Sequence, residues 1–386
     1  MVKRLHLLGY VSLFFLILGG TLLQTVLPLI AVPPLDESRK LSEVTNPWPR
    51  VLALDPTLAP EVNAWFDDIF GTRGLLVRLR NEIDYRLFGY SSKVDLGGDG
   101  YLFAKEFTQK LKQSDTTSHD NAMNLRNAVL GLKHELEKRG VKLMIVGFPS
   151  KNDVIHDYLP PRVYSTQPGG ELERFRHFLA DEPGIIFIDA REIMMRFYRE
   201  NPDLPPYYRT DLHVNYFGSV IVAREILAWL EAQEGNDTGP GRKFTVVEMP
   251  FAMGIESRYL GLLKPPVEVI RSPQDSVDLF KDTEFGTWEK DEYFTNFTAI
   301  ASSMPPFDFS YHTRPRFRTG LLPPTVIYGN SFSDGFFAYG MHEHFQDLWR
   351  SRLQPGRQKL VLDNFPPGVK YFILQYYEPL ILNILP

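Results

Sequence analysis

Thr210-Asp211-Leu212-His213-Val214-Asn215-Tyr216-Phe217-Gly218 carries a carboxylate and an imidazole two residues apart, directly ahead of an apolar pattern with helical spacing. As an extended segment it points Asp211 and His213 to the same side, so the carboxylate reaches one ring nitrogen. That pairing fixes the tautomer and leaves the other nitrogen to take a proton from a nucleophile. The nucleophile's setting is Thr325-Val326-Ile327-Tyr328-Gly329-Asn330-Ser331-Phe332-Ser333: a short apolar run, a Gly-Asn turn, Ser331, and a segment expected to be helical to about Arg350. Alone, an Asp-x-His pair is more often a loop pair, and Gly-x-Ser arises by chance in many chains. Together they carry weight, because each sits at a strand end or helix start, where α/β folds display catalytic groups.

Working outward from these segments, buried-strand runs at 141–148, 185–188, 326–328 and 370–377 alternate with helical patterns at 121–139, 171–179, 190–199 and 216–231. This predicts an α/β fold with a mainly parallel sheet covered by helices. A further helical pattern spans 58–87, and Gly97-Gly98-Asp99-Gly100 is a turn launching a short strand at Tyr101-Leu102-Phe103. From Glu234 to Pro324 the chain mixes short strand-like runs with Pro, Gly and charged turns, expected as an insertion between the two halves of the site. Pro149-Ser150-Lys151 follows the strand at 141–148, at the sheet end where open α/β folds bind ligands. Lys151 is a candidate contact for an anionic or polar substrate, against the default of a surface lysine.

Taken together, the Asp211–His213 and Gly329–Ser333 segments, Gly97 to Phe103 and Pro149-Ser150-Lys151 resemble the alginate O-acetyltransferase family, the AlgJ/AlgX-like branch of the SGNH hydrolase superfamily. The resemblance covers most of the chain beyond the N-terminal apolar stretch. It implies an SGNH-hydrolase-like sheet and an acetyl group passed through a Ser331 acyl-enzyme, with His213 as base and Asp211 orienting it. The acceptor would be a hydroxyl of an exported polysaccharide, alginate or a similar exopolysaccharide. A membrane-bound O-acyltransferase would be the partner supplying acetyl groups, and no cofactor is implied. Asn330 and Tyr208 join Lys151 as candidate substrate-binding residues. Leu212 and Val214 stand where the family usually has Thr and Trp, so acceptor preference transfers less readily than the triad. Two rivals use the same residues differently: an extracytoplasmic SGNH esterase with water as acceptor, and a non-catalytic polysaccharide-binding scaffold.

Lys3 and Arg4 precede an apolar stretch from about Leu5 to Val32, long enough for the roughly 20 residues of a membrane span. The expected organisation is an uncleaved anchor over 1–32, a Pro-rich linker over 33–57 and a catalytic domain over 58–386, containing the 234–324 insertion. Basic residues on the short N-terminal side predict an N-terminus in the cytoplasm and a periplasmic catalytic domain on the inner membrane. A cleaved signal peptide is the lesser alternative, since the apolar run exceeds the usual ~7–15 residues. The net charge of -5 and the lack of a basic run with interleaved aromatics give no reason to expect nucleic-acid binding. With no cysteine, thiolate metal sites and a Cys nucleophile are excluded. His342-Glu343-His344 reads as a solvated helix face rather than a metal site.

Overall fold

The computed structural model describes residues 2–27, 29–31, 35, 40–116, 119–239, 246–251, 254–273, 309–313 and 320–385. Most of the 234–324 stretch and part of the linker therefore lie outside the described residues. The chain forms two compact units, one of residues 1–94 with 255–266 and one of 95–254 with 267–386. Residues 58–94, expected within the catalytic domain, cluster with the N-terminal segment.

In the first unit, Val2–Val26 is a 25-residue helix. Among the described residues no helix is long and apolar enough to cross a membrane. The single helix expected over 58–87 is two, Leu58–Ile69 and Arg73–Phe88. The break falls at Gly71, whose N–H donates to Thr25 Oγ1 at 2.9 Å. A side chain there would lie 2.4 Å from the Thr25 nitrogen, so close approach of backbone rather than helical propensity decides the local path.

Among the described residues ten strands follow in chain order: β1 (Val94–Leu96), β2 (Leu102–Ala104), β3 (Lys142–Phe148), β4 (Ile185–Asp189), β5 (Val246–Phe251), β6 (Glu268–Pro273), β7 (Phe309–Thr313), β8 (Thr325–Gly329), β9 (Leu348–Arg352) and β10 (Tyr371–Tyr377). Six make the central sheet, ordered β4-β3-β10-β8-β9-β7. All its pairings are parallel except β7 with β9. β1 pairs with β2, and β5 with β6, in separate two-stranded sheets.

Strand alternation sorts the core. Leu143 and Ile145, Val326 and Tyr328, and Phe372, Leu374 and Tyr376 share one cluster with Leu125, Val129, Leu132, Leu136, Phe175 and Leu179 from the helices His119–Glu137 and Glu171–Asp181. The intervening residues face the other way, where Trp229 of the helix Tyr216–Glu234 meets Tyr371 edge-on. That helix begins at the Asn215 cap, which accepts the Gly218 N–H, and ends at Gly235 with φ +65°.

The expected helix from Phe332 to Arg350 is not formed. A 3-10 turn at Ser331–Ser333 leads into the short helix Asp334–Ala338; Gly340 reverses the chain with φ +84°, and β9 follows. His342, Glu343 and His344 are consequently buried rather than solvated, at 0%, 1% and 2% exposure. They are enclosed with the buried Met341, Phe345 and Leu348, and His344 Nδ1 meets the Thr238 hydroxyl at 2.5 Å.

Candidate active site

Because β3, β10 and β8 run parallel, their C-terminal ends lie on one edge of the sheet, which is where Ser150, Glu378 and Ser331 emerge. Ser331 opens the turn after β8. Asn330 caps that turn by accepting the Phe332 N–H through Oδ1 at 3.0 Å. Phe332 stacks on Tyr377 and packs against Phe148, anchoring the turn to two strands.

His213 lies 118 residues earlier, on a loop closed by the antiparallel bridge between Tyr207 and Val214. The residues between are bent, not extended, so strand alternation is not what brings Asp211 to His213. The cause is local: Asp211 Oδ1 accepts the backbone N–H of His213 at 2.8 Å, an Asx turn. The same oxygen lies 2.6 Å from His213 Nδ1. On the other side of the ring, Nε2 is 2.7 Å from Ser331 Oγ. Asp211 is buried, whereas the His213 side chain retains 26% exposure. Ser331, His213 and Asp211, expected together from sequence, are thus joined in one continuous hydrogen-bonded relay with an opening to solvent at the imidazole.

The loop's backbone is fastened from several directions. Lys151 is 2% exposed, and its Nζ donates to the carbonyls of Leu102, Arg209 and Asp211 at 2.7, 2.9 and 3.1 Å. The Tyr101 and Phe103 rings lie 5.7 and 5.2 Å from that ammonium. The ammonium thus spends donors on three main-chain carbonyls. Lys151 is therefore a buried brace under the loop, in place of the surface or substrate-facing group expected. Glu268 accepts the Arg209 N–H at 2.7 Å and the Thr210 hydroxyl at 3.2 Å. Burial raises the Glu268 carboxyl above its ordinary range, opposed by those donors and by the Lys151 charge. Tyr207 donates its hydroxyl to the Pro149 carbonyl at 2.7 Å.

Tyr208 stacks on Phe251 and lines a cavity of about 130 Å³ together with Arg209, Phe217, Glu268 and Arg271. Burial pushes its phenol up to about 12, so it stays a neutral donor. The Asn330 side chain is half-buried beside Ser331, and its Nδ2 and the Ser331 N–H have no acceptor among the described residues. Two residues escaped the sequence reading. Arg350 of β9 and Gln375 of β10 both bind the turn that carries Ser331. The available signal was a polar side chain inside otherwise apolar strand runs. Among the described residues no group of three or more His, Asp or Glu could hold a metal ion.

Residues 94–290, just over half of the chain, match the family described as SGNH hydrolase-like domain, acetyltransferase AlgX. The match includes Asp211 and His213 and ends before Ser331. Over 175 residues the chain is 28% identical to the probable alginate O-acetylase AlgJ of Pseudomonas aeruginosa, spanning 45% of this chain and 42% of that protein. Among solved structures, the O-acetyltransferase domain of Pseudomonas putida AlgJ aligns with a TM-score of 0.45 at 14% identity, over 75% of this chain and 92% of that one. Bacillus cereus PatB1 aligns with a TM-score of 0.46 at 12% identity, over 75% and 98%. The chain belongs to the SGNH hydrolase-like acetyltransferase family of AlgX.

Proposed function

We propose that the protein is an O-acetyltransferase that moves an acetyl group through Ser331 onto a hydroxyl of an exported polysaccharide, alginate or a similar polymer. The observation that carries this reading is the 2.7 Å contact between Ser331 Oγ and His213 Nε2, with Nδ1 held 2.6 Å from Asp211. His213 takes the Ser331 proton as Oγ attacks the acetyl carbonyl, and Asp211 stabilises the imidazolium. Collapse of the tetrahedral intermediate expels the donor's oxygen, which leaves with that proton. The acceptor hydroxyl then attacks the acyl-enzyme while His213 removes its proton, and Ser331 is regenerated on acetyl release. The free N–H of Ser331 and the Nδ2 of Asn330 are the donors assigned to the oxyanion, one such donor being worth roughly 2.7–4 kcal/mol. Tyr208 and its cavity are assigned to the acceptor, since an aromatic face with a neutral phenol suits a sugar ring.

The setting proposed is periplasmic, with Val2–Val26 as an inner-membrane anchor and a membrane-bound O-acyltransferase as the acetyl source. The relative named as an alginate O-acetylase supports the pathway. The anchor rests on the sequence, an apolar run from about Leu5 to Val32 behind Lys3 and Arg4, and not on the helix Val2–Val26 by itself. Tyr10, Phe14, Phe15 and Leu16 on it are 60–72% exposed. Retention in alkaline-washed membranes tests the anchor, and release into the wash refutes it.

The reaction is tested by incubating the purified protein with an activated acetyl ester, with and without oligosaccharide, and following both products by mass spectrometry. Acetylated oligosaccharide that disappears in Ser331→Ala is the expected result. Free acetate as the sole product would mean an esterase; no product from the purified protein, with exopolysaccharide acetylation unchanged in cells carrying Ser331→Ala, would mean a scaffold.

A further inference from the structure

We infer that Arg350 and Gln375 act as a two-sided clamp on the backbone of Asn330, and that this clamp sets the position of the Ser331 hydroxyl; the inference rests on the acyl-transfer reading. In the central sheet β8 lies between β10 and β9, with Gln375 registered opposite Gly329 and Arg350 opposite Ile327. Each neighbour sends one buried polar side chain to the first residue beyond β8. Gln375, 0% exposed, accepts the Asn330 N–H through Oε1 at 3.0 Å. Arg350, 2% exposed, donates from Nη2 to the Asn330 carbonyl at 3.0 Å and from Nε to Ser333 Oγ at 2.9 Å.

The same carbonyl accepts the Ser333 N–H at 3.1 Å and the Ser333 hydroxyl at 2.7 Å. Arg350 Nη2 also pairs with Asp334 at 2.6 Å. Ser331 follows directly on a residue whose backbone is held at both its N–H and its C=O, so the peptides on either side of Asn330 are each fixed. Gly329 belongs to the device, because a side chain there would come within 2.8 Å of Gln375 Oε1 and 3.0 Å of Ser333 Oγ. The clamp explains why a strand core holds a guanidinium and an amide, whose burial is costly unless their hydrogen bonds are met. The return is geometric: a hydroxyl displaced by about 1 Å from its base loses on the order of 100-fold in rate.

Arg350 and Gln375 are therefore positioning residues, separate from the relay itself. The test compares full-length wild type with Arg350→Met, Arg350→Lys and Gln375→Met. It measures Tm, kcat and KM on an activated acetyl ester, and the rate at which a sulfonyl fluoride labels Ser331. Arg350→Met is expected to lower kcat and labelling together by about 100-fold with KM within about threefold, and Arg350→Lys to recover about tenfold of the loss. Because Gln375 Nε2 has no hydrogen-bond partner among the described residues, Gln375→Met is expected to fold and to lose about tenfold in both rates. A folded variant of either residue that keeps wild-type kcat and labelling overturns the clamp. If Arg350→Met does not fold, Gln375→Met decides alone. Wild type that neither turns over the ester nor labels at Ser331 overturns the acyl-transfer reading instead, and is told apart because the failure precedes any substitution.

Discussion

Replacing Lys151 by methionine separates two roles that one residue could play. A substrate contact would raise KM and leave the fold alone, whereas a brace would do the opposite. Methionine keeps the length of the stem but removes the donors to Leu102, Arg209 and Asp211. The Arg209 carbonyl keeps another donor, the Leu102 N–H at 2.8 Å. Two carbonyls therefore lose their charged partner outright and one is weakened. At roughly 1.5–3 kcal/mol for each hydrogen bond to a charged group that is removed, the variant should lose about 3–5 kcal/mol of stability. For a unit of this size that is a fall in Tm of about 10 °C. Because the Asp211 carbonyl is one of the three, kcat should fall at least tenfold, following the loss of alignment between Asp211 and His213, while KM stays within about threefold. Scanning calorimetry and steady-state kinetics on the activated ester read the two effects. A variant with Tm within about 2 °C of wild type and KM raised tenfold would refute the brace and restore Lys151 to the substrate.

Asp211→Asn should keep the fold yet lower kcat about 10⁴-fold, since an amide can stabilise the wrong imidazole tautomer and cannot balance the imidazolium; steady-state kinetics with a circular dichroism control checks this. Gly254→Ala would place a methyl 2.1 Å from the Thr210 carbonyl oxygen, so the loop must shift one residue from Asp211. A kcat loss of about 10–100-fold with little change in KM is the expected outcome, read in the same assay. Glu378, 1% exposed, has its carboxyl pushed up to about 7 by burial, with Arg176 at 2.6 Å pulling it the other way. Between about 4.5 and 7 the folded protein keeps a proton that the unfolded chain has lost. That contribution is complete below the unfolded value and is lost as pH rises through 7, by up to about 3 kcal/mol. Denaturant melts at pH 5 and 7.5 should show the slope in wild type and its absence in Glu378→Gln.

Regular structure was legible in proportion to how strictly its period was imposed. β3, β8 and β10, buried on both faces, read as unbroken apolar runs and appear within one or two residues of expectation. Helical patterns at 121–139, 171–179, 190–199 and 216–231 were equally plain. The segment after Ser331 misled because Phe332, Phe336, Phe337 and Met341 fit a helix; what decides its path is Gly340 at positive φ and the edge that β8 offers to β9. Asp211, His213 and Ser331 were visible because acid–base chemistry restricts residue type. The turn joining the first two was not, since Asp two residues before any backbone N–H looks the same whether extended or curled. Lys151 was misread for a similar reason: its partners are main-chain carbonyls, which carry no mark in the sequence.

What these misreadings share explains how a relay spanning 118 residues of chain is held within hydrogen-bond range. Apolar packing brings β8 and the Tyr207–Val214 loop to the same edge, but packed hydrocarbon tolerates small slides along the sheet. Directional bonds from buried side chains to backbone remove that freedom: Lys151 and Glu268 under the histidine loop, Arg350 and Gln375 around the serine turn. Each grips main chain at or next to a reacting residue, so the imidazole and hydroxyl can exchange a proton while their attachment points do not move. Burial makes these bonds strong for the same reason that it makes them costly. Substitutions at the four anchors should accordingly change kcat far more than KM, whereas changes at Tyr208 or in its cavity should alter KM for the acceptor first. A pattern of KM defects at the anchors would mean that the polar framework serves binding and that alignment of the relay comes from packing alone.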